Sequence, residues 1–134
     1  MATRHHARMA VVSLLYAYDL GNGNTSEHTF EILEEKKIRN KQKDFALDLY
    51  SGVMENIDAC DEQIVKHLKE WDFERLGSIE RATLRLATFE ILFGDLDSAV
   101  VINEAVEITK AFGTEQSPKF INGVLDAISK DKKV

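Results

Sequence analysis

Apolar side chains recur along most of the chain at the three- to four-residue spacing of a helix. Near the start, one helical face is formed by Met9, Val12, Tyr16 and Leu20, and this spacing predicts a first helix over about residues 4–20. No stretch of useful length shows the alternation of apolar and polar residues that is typical of a strand. The pattern therefore predicts an all-α fold.

The next segments are less regular. Ser26 suits the cap of a short second helix that carries Phe30 and Leu33, and the charge-rich residues 34–43 are predicted to form a loop. A third helix then shows four-residue spacing at Phe45, Leu49, Val53 and Ile57. We expect Asp58 to cap a fourth helix, whose apolar face comprises Ile64, Leu68 and Trp71.

The segment of residues 79–93 is apolar around more than one side, which is typical of a central, buried helix. Ser78 is expected to cap it and Gly94 to end it. The pattern predicts a single compact domain over residues 1–134, with about seven helices in two small helical subdomains that share this central helix.

The last two helices have clear punctuation. Gly113 is expected to end the sixth helix, and Ser117 with Pro118 suits the cap and first position of the seventh. Around this core we distinguish a basic N-terminal arm over residues 1–8, a helical body over 9–128 and a charged tail over 129–134, the first and last being polar extensions.

Composition and cysteine usage agree with a single domain in a reducing compartment. The 134 residues are 44% hydrophobic, which suffices for one core. Cys60 is the only cysteine, so no disulfide forms within the chain, and we interpret it as a core residue. The apolar run after Arg8 is too short to span a membrane and has no cleavage site, which favours a cytoplasmic protein without membrane contact.

Charge is segregated along the chain. The formal net charge is −6, but residues 1–18 contain Arg4 and Arg8 and no acidic residue, so that segment carries +2 and the remainder −8. An acidic body argues against general nucleic-acid binding, because phosphate contacts need lysine and arginine. A local basic segment still acts at short range, since salt screens charge beyond about 10 Å.

The motifs of an enzyme are not found in the sequence. It has no glycine-rich phosphate loop and no pair of neighbouring cysteines. His5 and His6 diverge by about 100° on a helix, which makes a shared metal ion unfavourable. Glu90 lies in an apolar stretch, and we expect it to pair with Arg81 or Arg85 rather than to act as a catalytic acid. We therefore expect no cofactor, no metal and no catalytic activity.

Three features suggest a ligand, each with a plainer alternative. The Arg4–Arg8 segment, with its two histidines, suits phosphates, or is an ordinary solvated helix start. The start of the last helix, with Lys119, favours an anion, or is a simple cap. The rings of Tyr16, Tyr18 and Phe120 suit stacking on unpaired bases, although Tyr16 also aligns with Met9 and is a candidate core residue.

Two sequence blocks carry a family resemblance. The segments VINEAVEITKAFG over residues 101–113 and SPKFINGVLD over 117–126 resemble the signature of the NusB family. The segment RATLRLATFEI over 81–91 is similar to the buried helix that precedes them, and Arg4 to Tyr16 resembles the family's arginine-rich start. The likeness spans roughly residues 4–128.

The resemblance implies an all-α fold of two helical halves and a non-enzymatic antitermination factor. It implies binding of the boxA element in ribosomal RNA leader transcripts, a complex with the ribosomal protein NusE, and assembly with other Nus factors on RNA polymerase. The position-by-position correspondence implies phosphate contacts by Arg4, His5, His6 and Arg8.

The same correspondence implies base contacts or an RNA path at Tyr16 and Phe120, with Lys119 nearby, and a partner face at Glu74 and Glu80. His5 and His6 stand where family members often carry arginine, so we expect the arm to depend on the partner. An acidic helical adaptor without RNA contact is the alternative, and a homodimer is left open.

Three polar or small residues of the blocks have physical interpretations of their own. Gly123 lies inside a helix, where glycine costs about 1 kcal/mol relative to alanine, so we expect it to permit a close helix approach. Asn103 and Asn122 are expected to tie loops or helix ends by side-chain hydrogen bonds.

Overall fold

The computed structural model describes residues 3–21, 29–68, 72–112 and 117–132. Within these ranges the regular structure is helical throughout, and the prediction of an all-α fold is confirmed. The elements are α1 (Arg4–Asp19), α2 (Thr29–Glu35), α3 (Asn40–Glu55), α4 (Ile57–Lys66), a 3₁₀ turn (Phe73–Arg75), α5 (Ser78–Phe93), α6 (Ser98–Phe112) and α7 (Ser117–Lys132). The predicted roles of Ser26, Trp71 and Gly113 fall outside the described residues.

The buried face of α1 differs from the predicted one. Leu20 is 61% and Tyr16 is 37% exposed, so the second half of the predicted line lies at the surface, whereas Val12 in its first half is buried. The buried face instead comprises Ala7, Arg8, Ala10, Val11, Val12, Leu14 and Leu15. Tyr16 is therefore a surface residue, and its interpretation as core is wrong.

Several boundaries in the first half are also displaced. The loop predicted over residues 34–43 is mostly helical, because α2 runs to Glu35 and α3 begins at Asn40. Asn56 separates α3 from α4, and its side chain donates to the carbonyl of Gly52, 2.8 Å away. Asp58 then lies in the first turn of α4 and is not its cap.

The boundaries in the second half are closer to prediction. Gly77 rather than Ser78 occupies the N-cap of α5, and Gly94 ends the helix as expected, its N–H bonded to the Glu90 carbonyl at 3.0 Å. Helix α7 begins at Ser117 and continues to Lys132, so residues 129–132 are helix and not a tail. The ammonium of Lys132 donates to the carbonyl of Ile91, which ties this end to α5.

Two hydrophobic cores meet at α5. The first core is built mainly from α1, α2 and α3, together with Ala82 and Leu86 of α5 and Ile108 of α6. The second is built from α4, α6 and α7, together with Leu84, Ala87 and Ile91 of the same helix. The expected central helix that is shared by two helical halves is confirmed.

A close helix approach occurs at a different glycine from the predicted one. A methyl group at Gly123 would meet nothing within 4 Å, so this residue faces open space. A methyl group at Gly52 would overlap the ring of Phe89, so it is this glycine that lets α3 approach α5. The prediction for Gly123 is therefore wrong.

Cys60 is fully buried in α4, as predicted. Burial, and to a lesser extent the neighbouring Asp61, raises the pKa of its thiol to about 12. Among the described helices, none has the length and apolarity required to cross a membrane.

Candidate nucleic-acid interface

The start of α1 is closed by a reciprocal cap rather than left as a free arm. The hydroxyl of Thr3 accepts from the His6 N–H at 3.2 Å, and Nδ1 of His6 accepts from the Thr3 N–H at 3.2 Å. This arrangement satisfies two backbone donors at the helix start. The neutral His6 ring consequently carries its proton on Nε2, which leaves that nitrogen as a donor.

Arg8 forms a buried ion pair with Glu90. Its Nη2 lies 2.9 Å from Oε1 of Glu90 and its Nε 3.0 Å from Oε2, and the two side chains are 6% and 8% exposed. The structure confirms that Glu90 is a paired structural acid but corrects the partner, since neither Arg81 nor Arg85 contacts it. With both ends of its fork on one carboxylate, the Arg8 guanidinium lies inside the protein.

Arg81 and Arg85 instead hold a second carboxylate cluster. The Arg81 guanidinium binds Asp19, and Arg85 binds Asp61 at 2.8 and 2.9 Å and Asp19 at 3.2 Å. Burial alone would raise the pKa of Asp19, but hydrogen bonds from Arg81 and Ser78 and the charge of both arginines hold it below 3.8. This cluster fixes the end of α1 against the start of α5.

His5 is tied to α6. Its Nδ1 lies 2.8 Å from Oε2 of Glu104, and the same oxygen lies 4.0 Å from Nη1 of Arg8. The imidazole therefore donates from Nδ1 to the carboxylate, and its side chain stays 36% exposed. His5 thus lies at the edge of the surface with one nitrogen engaged.

Arg4 is the member of the basic segment that keeps its charge at the surface. Its guanidinium lies over the ring of Phe45, 4.4 Å from the ring centre, and the residue is exposed. Within the described part of the chain it has no carboxylate partner. Of the four predicted phosphate contacts, Arg4 is thus the one with a free cationic group.

Tyr16 lies near the other end of α1. Twelve helical residues separate it from Arg4, or about 18 Å along the axis. Tyr18 is similarly exposed, at 38%. The predicted cationic and aromatic contacts on α1 are therefore spread along the helix and do not form one pocket.

The start of α7 supplies the remaining predicted contacts. Lys119 is exposed and lines a groove of about 550 Å³ between α6 and α7, together with Asn103 and Asn122. Neither asparagine side chain is hydrogen-bonded within the described ranges, so the prediction that they tie loops is wrong. Phe120 is half-buried and packs against the second core.

The two predicted partner-binding acids differ in their freedom. Glu80 is half-buried and accepts a hydrogen bond from the hydroxyl of Ser117 at 2.5 Å, which joins the starts of α5 and α7. Glu74 is exposed in the 3₁₀ turn, where its N–H bonds to Asp72. Glu80 is therefore held within the fold, whereas the carboxylate of Glu74 faces solvent.

A second cationic surface, which was not predicted from the sequence, lies beside α1. A groove of about 320 Å³ is lined by His6, Met9, Ala10, Ser13, Lys36, Lys37, Ile38 and Phe112. The two lysines come from the segment that was predicted to be a loop. Its five basic residues between positions 36 and 43 were the available signal.

The chain is a small all-α protein. Its separate cations and aromatic rings lie along α1 and at the start of α7. The sequence profile of the NusB family matches residues 5–130. The chain belongs to the NusB family.

Individual relatives are similar over almost their whole length. The chain is 88% identical to the transcription antitermination protein NusB of Sulfurimonas denitrificans, over 98% of this chain and 100% of the relative. It is 63% identical to that of Nitratiruptor sp., over 99% and 96%. Among solved structures, antitermination factor NusB in complex with NusE and double-stranded RNA is 36% identical, with a TM-score of 0.87 over 96% of both chains.

Proposed function

We propose that the protein is a non-enzymatic transcription antitermination factor that binds boxA-type single-stranded RNA of ribosomal RNA leader transcripts jointly with the ribosomal protein NusE. The observation that carries the proposal is its close structural similarity to a NusB that is bound to NusE and RNA. The complex would act in the cytoplasm, on RNA polymerase and with other Nus factors, and would promote ribosomal RNA synthesis and maturation.

The proposed RNA path follows the exposed side of α1. Arg4 would bind a phosphate, and Tyr16 would stack on a base. The histidines would contribute differently, because their engaged nitrogens differ. His6 has a donor at Nε2 that suits a phosphate, whereas neutral His5 has an acceptor at Nε2 that suits a ribose 2′-hydroxyl.

The start of α7 would continue the path. The exposed ammonium of Lys119, at the positive end of the α7 helix dipole, favours a phosphate. The exposed edge of Phe120 would contact a base from its half-buried position. Arg8 takes a different part in this proposal: it positions α1 on α5 through Glu90 and does not touch RNA.

The partner would bind the acidic part of the surface. The chain carries a net charge of −6, which complements a basic ribosomal protein. Glu74 is the more accessible of the two predicted contacts, and Glu80 would contribute mainly by ordering the α5–α7 corner. With so few free cations on the path, we expect RNA affinity to depend strongly on this partner.

Fluorescence anisotropy with a labelled boxA RNA tests the proposal. The titrations use a scrambled RNA and a boxA duplex as comparisons, each with and without the NusE-type protein. We expect the single-stranded boxA RNA to bind best and the partner to tighten binding at least tenfold. An equal gain for the scrambled RNA would contradict the proposal.

The charge balance and the engaged state of His5, His6 and Arg8 favour one alternative, an acidic protein–protein adaptor without RNA contact. Photo-crosslinking in the presence of the partner separates the two. Crosslinks within residues 4–16 or 116–120 support direct RNA binding. RNA crosslinks confined to the partner protein would support the adaptor.

A further inference from the structure

Helix α2 ends in a motif that glycine usually closes. The N–H of Ile38 bonds to the carbonyl of Leu33 at 2.8 Å, and the N–H of Lys37 bonds to that of Glu34 at 3.0 Å. Lys37 has a φ of 59°, in the left-handed region. This is the hydrogen-bond pattern of a Schellman motif, in which the left-handed position is most often glycine because a Cβ is unfavourable there.

The conformation places two lysines on a groove. Lys36 and Lys37 are both exposed and line the 320 Å³ groove beside α1. Neither side chain has an ion-pair partner in the ranges that the structure describes. The neighbouring cation Arg39 is different, since it lies 3.4 Å from a carboxylate oxygen of Glu34.

The apolar part of the groove lining suits nucleobases. Phe112, at the end of α6, is 43% exposed, and Met9, which also lines the groove, is half-buried. His6 adds the donor at Nε2, and the residues that line the groove within the described ranges include no acidic one. A groove lined by two ammonium groups, a ring and a thioether matches a phosphodiester chain with unpaired bases.

The groove is continuous with the RNA path proposed above. Ser13 lines the groove, and Tyr16 follows it on the same side of α1, less than one helical turn further along. An RNA strand held at Tyr16 would therefore enter the groove by continuing along the same side of α1.

We propose that this groove is a second RNA-contact site, in which Lys36 and Lys37 bind the phosphates of nucleotides that flank those held at Tyr16. The inference rests on the proposed RNA-binding function and extends it to a longer RNA. At the left-handed position of the motif, Lys37 supplies an ammonium that glycine would lack.

The first experiment compares Lys36→Gln and Lys37→Gln with the control Lys41→Gln. Lys41 is exposed but does not line the groove, and its replacement by glutamine changes the net charge by the same amount. Binding is measured at several salt concentrations in the presence of the NusE-type protein. One RNA is the boxA core, and the other carries about six additional nucleotides on each side.

Each groove variant should weaken binding of the long RNA about fourfold at 0.15 M salt. The salt slope, meaning the slope of log affinity against log salt concentration, should decrease in magnitude by about 0.7, the value for one phosphate contact on a single strand. The control should change affinity less than twofold. The boxA core should bind all variants alike. Unchanged binding of the long RNA by both groove variants, with wild-type binding intact, would overturn the groove site and leave the proposed function standing.

Lys37→Gly separates conformation from contact. This variant should raise Tm by about 3 °C, because glycine is unstrained at this φ. It should nevertheless weaken binding of the long RNA by the same factor as Lys37→Gln. A higher Tm with unchanged affinity would refute the contact. If Lys36→Gln and Lys37→Gln instead lower the affinity for the partner protein in the absence of RNA, the groove is a protein-docking surface and the inference is wrong. Failure of the wild type to bind any RNA would overturn the proposed function as well.

Discussion

Replacing Arg8 by methionine should destabilise the fold strongly, because it leaves the Glu90 carboxylate buried without a cation. That carboxylate is only 8% exposed and receives both ends of the Arg8 fork. Removing one partner of such a pair costs about 3–5 kcal/mol. A loss of 1 kcal/mol lowers Tm by about 3–4 °C in a domain of this size, so Tm should fall by roughly 10–20 °C.

A second variant distinguishes the loss of a contact from a stranded charge. Arg8→Met with Glu90→Leu replaces the pair by apolar side chains of similar volume, which is often close to neutral. We expect urea denaturation to show recovery of most of the lost stability. Lys110→Met is the matched control, since Lys110 pairs with Glu107 at an exposed site, and it should change stability by less than about 1 kcal/mol.

The same double variant tests whether Arg8 touches RNA. Because it is expected to fold, its RNA affinity and salt slope should match those of the wild type. If Arg8→Met lowers the free energy of unfolding by less than 1 kcal/mol, the cost assigned to the unpaired Glu90 carboxylate is wrong. A folded double variant whose salt slope falls by one phosphate contact would return Arg8 to the RNA-binding residues.

Asp19→Asn should lower the free energy of unfolding by about 2 kcal/mol at pH 7, as expected for hydrogen bonds to charged groups. Because the folded pKa of Asp19 lies below its ordinary value of 3.8, this difference should be present above that pH and disappear as the pH falls through the folded pKa, which a series of denaturation measurements from pH 7 downward would show. Gly123→Ala should raise stability by about 0.8 kcal/mol, whereas Gly52→Ala should lower it by about 1–3 kcal/mol, because its methyl group would overlap Phe89; thermal melts that rank the two alike would contradict the packing. Cys60 should resist a thiol reagent in the native protein at pH 8 and react on unfolding, because its thiol is buried and its pKa is about 12; rapid native labelling would contradict this.

Helix number and the central place of α5 were predictable because they follow from spacing along a single segment. Residues 79–93 are apolar on several sides, and the structure buries residues 82–88, Glu90 and Ile91 of this segment, between two cores. The boundary at Asn56 was missed because Ile57 continues the spacing of the preceding helix. Such a break depends on how the third and fourth helices pack, which spacing does not specify.

The site was less predictable, because a side chain's role depends on what it meets across the fold. Arg8 and Glu90 are 82 residues apart, and nothing local pairs them. One signal was nevertheless present: Arg8 stands four residues before Val12 and seven before Leu15, both fully buried. That alignment places Arg8 on the inner face of α1, whereas its basic character alone suggested the surface.

The position of α5 between two cores bears on how the protein unfolds. Neither group of helices retains a complete apolar interior without this helix, so separate expression of the halves should yield two unstructured fragments. Opening either core exposes one side of the shared helix, and both cores must open before its central amides meet solvent. Amide hydrogen exchange should therefore be slowest around Leu84 to Ala87, and its rate there should report global unfolding of the whole chain.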